Sequence, residues 1–419
     1  RIGSQNGKRA GGDGARLVTA EDGLVAGGVV ERYLLLGLRL GRHLDGLVDA
    51  YYGPPALARR VDDEPKADLG ELVAEAARLV SELDGPGDVD AMDAARRRWL
   101  RAQCAGLVTT ASKLRGDAIG YSDEVESCYG VRPERVPEER FAAAHAALDE
   151  VLAGSGPLAD RYGTWREAQA VPTDRLGDVI ASLAEDFRAR TDTMFGLPEG
   201  EQVAFELVRN QPWSGFNYYE GGLRSRVAIN VDLPVLSPTL AHLVAHEAYP
   251  GHHTEHSRKE VGLVRRRGHL EETVFLVGTP QCLLAEGLAD LGLEVLVGER
   301  PEPVVAEHLR PLGIPYDTEV VARVAEAAQS LDKVRGNAAL LLHEGGADPD
   351  DAVAYLQRWS LLPRARAEKA VSFLMDPTWR SYISCYVEGL PLCRDWVGGD
   401  PTRFERLLSE PLTPAQLQA

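Results

Sequence analysis

Between His242 and His256 the chain reads His242-Leu243-Val244-Ala245-His246-Glu247-Ala248-Tyr249-Pro250-Gly251-His252-His253-Thr254-Glu255-His256. Five of the protein's ten histidines fall in these fifteen residues, with two glutamates beside them. Neutral imidazole is the commonest protein ligand for zinc-class metals, and a neighbouring carboxylate serves as a base. The stretch therefore points to a metal site, against the plainer alternative of a wet, polar helix end. His246-Glu247 opens an H-E-x-x-H pattern, in which two His one helical turn apart bind a metal and Glu activates water. Pro250 stands where the second His belongs. The next histidine is His252, about 240° around a regular helix from His246 and about 9 Å along it, too far to share an ion. Pro250 removes an N–H and clashes with the preceding turn, and Gly251 permits unusual backbone angles. A break there turns His252 back toward His246. The same stretch also holds the inverted pattern H-x-x-E-H in His252 to His256, with Glu255 as the base and no break needed. Spacing alone leaves both open.

His-Glu-x-x-Pro-Gly-His-His resembles the signature of the bacterial DUF885 family, zinc metallopeptidase-like proteins of the glutamate-ligand zincin type. The stretch from Leu38 to Pro54, which ends Asp49-Ala50-Tyr51-Tyr52-Gly53-Pro54, is similar to the family's start. Trp213-Ser214-Gly215-Phe216-Asn217-Tyr218-Tyr219, Ala285-Glu286-Gly287-Leu288-Ala289-Asp290 and Tyr386-Val387-Glu388-Gly389 are similar too, so the resemblance runs through most of the chain. Glu255 departs from it, since the family usually has Gln there. The resemblance implies a mainly α-helical (α+β), zincin-like fold with a small antiparallel sheet beside the active-site cleft. It favours His246, Glu247 and His252 over the inverted pattern.

A metal held by two His needs a third protein ligand and one open position. The resemblance implies zinc held by His246, His252 and Glu286, with Glu247 activating water and Tyr386 donating to the oxyanion. Asp290 is the expected acceptor for a ligand imidazole N–H, with His242 and His253 supporting the ligands from behind. Arg380 is the expected anchor for a substrate carboxylate, because guanidinium binds carboxylate bidentately; Arg335 is a second candidate. Tyr218, Tyr219 and Asn230 are the expected further substrate contacts. The implied function is hydrolysis of peptide or amide bonds in small peptides, with carboxypeptidase or dipeptidase character. The competing class is a catalytically inactive metal-binding protein with a binding or structural role.

Composition bounds the partners. The net charge of −18 argues against nucleic acid and anionic membrane. No run approaches the apolar length of a membrane span, and residues 1–21, Gly-rich and polar, read as a loose tail without a signal-peptide h-region. Five scattered cysteines without a C-x-x-C pair read as reduced thiols, which suggests a cytoplasmic protein. Periodicity and punctuation predict an N-terminal helical lobe over 22–200 and a catalytic lobe over 201–419. The first helix is expected over 22–51, and later ones include 69–84, 88–115, 174–195 and 377–388. Residues 203–208 and 226–231 alternate as strands, with Gly215, Asn217 and Gly221 marking turns between them. Ser237-Pro238 is the expected start of the metal helix, with Ser as its cap. The glycines at 287 and 292 are expected to let the Glu286 helix approach the metal helix closely.

Overall fold

The computed structural model describes residues 24–419 apart from Asp88 and Pro212, so the tail expected at 1–21 lies outside the described residues. The fold is mainly α-helical with two small sheets. Helix starts follow local chemistry. Asp68 accepts from the N–H groups of Gly70 and Glu71 to open Leu69–Asp84, and Asp93 does the same for Ala94–Arg115. The second of these ends at Gly116, whose φ of 101° suits glycine.

The helix expected over 22–51 is shorter. It spans Val29–Gly41, burying Tyr33, Leu34, Leu36 and Leu40. Gly46 then turns the chain at φ 77°, and Val48–Tyr51 forms strand β1. The cause is long-range. β1 pairs antiparallel with a strand at Val274–Leu276, and Tyr52 N donates to Thr273 O at 2.9 Å. A pairing so distant in sequence leaves no local periodic trace.

Strands β2 (Gln202–Val208), β3 (Gly215–Gly221) and β4 (Arg224–Asn230) form the second sheet, in the order β2-β4-β3. The two strands expected to pair antiparallel, β2 and β4, run parallel, and the antiparallel pair is formed by β3 and β4 instead. β3 occupies the stretch read as turns. Gly215 marks a close approach instead, while Gly221, at φ 73°, both leads into the turn before β4 and packs closely. A Cβ on Gly215 would lie 2.6 Å from Leu243 Cδ1, and one on Gly221 would lie 2.7 Å from Tyr52 Cβ. The short strand Val274–Leu276 is β5.

The largest core cluster joins Tyr33, Trp99 and Phe141 to Leu276, Leu283, Trp359 and Ile383, and so crosses the boundary drawn near residue 200. A second cluster, with Ile180, Phe187, Val227, Ile229, Leu240 and Val244, backs the His-bearing helix Ser237–Glu247. That helix has Leu236 at its cap position; Ser237 is the first helical residue and its hydroxyl caps nothing. Helix Pro280–Val297 is buried almost throughout. Gly292 packs on Pro250, so the expected approach to the histidine stretch holds there, but Gly287 faces Gly389 of helix Ile383–Val397. The helix expected over 377–388 thus begins later, after a turn in which Asp376 accepts from Thr378 N at 2.8 Å. Among the described residues no helix is long and apolar enough to cross a membrane, and all five cysteines are buried and unbridged.

A Cβ at position 287 would sit 2.4 Å from the Gly389 carbonyl oxygen. Gly287→Ala should therefore lower the unfolding free energy by about 1–3 kcal/mol despite alanine's better helix propensity. Urea denaturation checks this; an unchanged or higher midpoint would show that the crossing is slack.

Candidate metal centre

Helix Ser237–Glu247 carries His242, His246 and Glu247 and ends at Ala248. The break expected at Pro250 and Gly251 is present, and helix His252–Lys259 starts directly after it. Gly251 N donates to Ala245 O at 2.9 Å, and Thr254 Oγ1 donates to Ala248 O at 2.9 Å, so the two helices are pinned across the break. A Cβ on Gly251 would lie 1.9 Å from His246 O, which no other residue type tolerates. Behind the break, Glu201 Oε2 accepts from Tyr249 at 2.7 Å and pairs with His253 Nε2 at 2.8 Å.

The consequence is a convergence of three ligand-type atoms. His246 Nε2 lies 3.1 Å from His252 Nε2 and 3.3 Å from Glu286 Oε2, and His252 Nε2 lies 3.9 Å from Glu286 Oε1. Ligands about 2.0–2.2 Å from a tetrahedral ion stand about 3.3–3.5 Å apart, so the spacing suits a zinc-class ion. Glu286 Oε2 is buried and has no hydrogen-bond partner, while Oε1 accepts from Tyr382 OH at 2.6 Å. An unsatisfied carboxylate oxygen facing two imidazole nitrogens fits a cation. His242, His246 and Asp290 form a second close group. There the distances are those of hydrogen bonds: Asp290 Oδ1 is 2.8 Å from His246 Nδ1 and 3.2 Å from His242 Nε2. Asp290 thereby fixes the His246 tautomer that leaves Nε2 free for the cluster.

Electrostatics follow from burial and these partners. Burial disfavours charge on His246, yet its hydrogen bond to Asp290 and the nearby Glu286 carboxylate hold it well above the usual imidazole value. Burial, with His246 beside it, brings His252 down to about 4. Without a metal one proton thus sits on His246, and a cation competes with it. Burial pushes Glu247 up to about 7; His246 opposes this, and the carboxylates of Glu286 and Asp290 add to it. Glu247 is backed by β3: a Cβ on Gly215 would lie 3.2 Å from its Oε1, and Asn217 Nδ2 donates to its backbone O at 2.6 Å.

Several expected residues lie elsewhere. His253 does not support the ligands; it is fully buried between Glu201 and Ser225 Oγ, at 2.8 Å each. His256 stacks on Tyr219 with ring centroids 4.8 Å apart, and Lys259 takes Glu255 at 2.7 Å, so the inverted pattern is not assembled. Tyr219 is buried, its hydroxyl on Glu260 at 2.5 Å. Tyr218 alternates to the face of β3 opposite Asn217, under Arg226 at 4.1 Å. Asn230 ties the 208–215 loop through Gln211 O and Trp213 O. Tyr219 and Asn230 are thereby held by the framework. Arg380 is committed as well: its guanidinium pairs with buried Glu124, which Lys113 and Ser381 also hold. Arg335 is exposed and has no ion pair among the described residues. Tyr386 is 41% exposed, its ring is 5.6 Å from Tyr382, and the carboxylates of Glu286, Glu247 and Asp290 bear on its phenol. Tyr382 and Asn217 are the residues missed. The four-residue spacing of Tyr382 and Tyr386 was the available signal for the first.

No family model matches the chain, so the family resemblance stands on its motifs alone. No curated protein matches it either. Among solved structures it is similar to a "putative lipoprotein" from Colwellia psychrerythraea, at 14% identity and TM-score 0.48 over 87% of this chain and 68% of that one. It is also similar to an M32 carboxypeptidase from Deinococcus radiodurans R1, at 14% identity and TM-score 0.39 over 94% of each chain. A carboxypeptidase from Pyrococcus furiosus matches at 12% identity and TM-score 0.37, over 91% of this chain and 88% of that one. At such identities and scores these likenesses assign no family or activity.

The Glu124 cluster yields a test. Burial raises its pKa, but Lys113 and Arg380 win and hold it below the usual carboxylate value. A depressed acid contributes stability above its unfolded pKa and loses it as pH falls through the folded one. Arg380→Ala should lower stability at neutral pH by about 1–3 kcal/mol, with a smaller loss in acid. It should leave KM for free-acid peptides unchanged. A selective rise in that KM would restore Arg380 as a substrate anchor.

Proposed function

We propose that the protein is a zinc-dependent hydrolase of amide bonds in small peptides. One observation carries this reading: the nitrogens of His246 and His252 and the carboxylate of Glu286 converge at 3.1–3.9 Å, with Glu247 directly after His246 in the chain. His246, His252 and Glu286 would hold a zinc-class ion, which would supply Lewis acidity to the attacking water and the substrate carbonyl. Glu247, pressed against β3, takes the proton of the attacking water as its oxygen bonds to the amide carbon. It then passes that proton to the amine nitrogen as the C–N bond breaks. Tyr386 donates its O–H to the carbonyl oxygen as charge develops there. Asp290 and Tyr382 act one step back, orienting His246 and Glu286. The carboxyl-end preference drawn from Arg380 is withdrawn, because Glu124 occupies that guanidinium.

Metal analysis after reconstitution should give one zinc per chain for wild type and His256→Ala, and little for His246→Ala or His252→Ala. Asp290→Asn should weaken zinc binding by about 10–100-fold. Retention of full zinc by His246→Ala would remove the ligand set.

Glu247→Gln should keep the zinc and lose roughly 10²–10⁴ in kcat on short peptides. Equal turnover by wild type and Glu247→Gln would remove the base. No turnover of any short peptide by zinc-loaded wild type would make the inactive metal-binding alternative the reading.

A further inference from the structure

The carboxylate of Glu286 meets the two imidazoles with both of its oxygens. Oε2 lies 3.3 Å from His246 Nε2, and Oε1 lies 3.9 Å from His252 Nε2. A carboxylate placed so chelates an ion through both oxygens unless one is taken. Tyr382 takes one. Its O–H donates to Oε1 at 2.6 Å, while the buried Oε2 has no donor. A bond made only to satisfy a buried carboxylate would be matched on the other oxygen. Glu124 shows that case: Lys113 and Ser381 reach its Oε1, and Arg380 reaches its Oε2. Glu286 is matched on one oxygen and bare on the one beside His246.

The phenol is held in place from several sides. Tyr382 is buried at the start of helix Ile383–Val397, and its N–H donates to Trp379 O at 3.0 Å. Three rings stand edge-on to its own: Trp379 at 5.4 Å, Tyr386 at 5.6 Å and Tyr129 at 6.3 Å between centroids. The same helix crosses the glutamate helix at the contact of Gly389 with Gly287, the residue directly after Glu286. That crossing fixes how closely the hydroxyl stands to the carboxylate. Zinc-class ions in such sites take four ligands and one oxygen per carboxylate, whereas manganese and calcium take six or more and accept a carboxylate by both oxygens. We propose that Tyr382 is a positioning residue that holds Glu286 to the ion through Oε2 alone, and so sets a low coordination number and selects a zinc-class ion over manganese. This rests on the metal-binding part of the reading above and deepens it by adding which ions the centre admits.

The test reads metal binding, not turnover. Zinc and manganese affinities are measured by competition with a chromophoric chelator for wild type, Tyr382→Phe and Asp290→Asn. The cobalt(II)-loaded proteins are compared by visible absorption. Tyr382→Phe keeps the ring and removes only the donor. It should lower the zinc-over-manganese preference roughly 10–100-fold, the range for removing the partner of a metal ligand. Asp290→Asn, which acts through His246, should weaken both metals alike and leave their ratio unchanged. Cobalt in wild type should show the intense bands of four-coordination, and in Tyr382→Phe the weaker bands of five- or six-coordination. An unchanged ratio in Tyr382→Phe overturns the proposal and makes the phenol a support of the carboxylate only. A ratio that moves equally in both variants overturns it too. So does a wild-type cobalt spectrum of five- or six-coordination, with no variant needed. Failure of the hydrolase reading looks different: stoichiometric zinc in wild type with no turnover of any short peptide removes the chemistry alone, whereas no stoichiometric metal in wild type removes both.

Discussion

The contact of Gly251 with the carbonyl of His246 is the constraint on which the centre depends. It allows one helix to stop and the next to begin within four residues, folded back on its predecessor. A continuous helix would carry His246 and His252 on different faces. The break puts their rings edge to face with centroids 4.7 Å apart. Everything around it holds that geometry: Glu201 grips Tyr249 and His253 from behind, and Gly292 makes room for Pro250. The glutamate helix can then approach with Glu286 and Asp290 on the side that meets the imidazoles.

Charge burial decides which of the polar residues remain available for chemistry. A buried carboxylate is costly unless donors surround it. Glu124, Glu201 and Glu260 each have such donors, and each consumes residues that in isolation look functional: Arg380, His253 and Tyr219. Glu286 is satisfied on one oxygen only. What sets Glu286 apart is where its free oxygen lies, 3.3 Å from His246 Nε2, since Glu255 Oε2 and both oxygens of Glu272 are also buried without a partner.

Locality explains what was legible in the sequence. Helices with their own caps, such as Leu69–Asp84 and Ala94–Arg115, were readable because their signals are local. So was the break at Pro250 and Gly251, since both residues announce it. β1 and β3 were not, because one is defined by a partner far along the chain and the other opens on Gly215, which serves packing and not turning. Near the metal cluster, His246, His252, Glu286 and Asp290 come together as the motifs suggested. Arg380, Tyr219 and Asn230 are held by the framework for one shared reason. Whether an Arg, Tyr or Asn is free depends on which acid or carbonyl reaches it first, and that is a property of the folded chain.

The pairing of β1 with β5 also sets an order of events. Val48 emerges from the ribosome long before Leu276, and at 5–20 residues per second the gap is on the order of 10–50 s. During that interval the first strand has no partner and the largest core cluster lacks its second half. Contacts this distant in sequence slow folding, because loop-closure entropy must be overcome before they form. β1 and β5 therefore meet only late in synthesis, and the N-terminal helices spend that time without the partners that complete their core. A chain built this way has more to gain from chaperone protection during translation than one whose site is assembled from neighbouring segments.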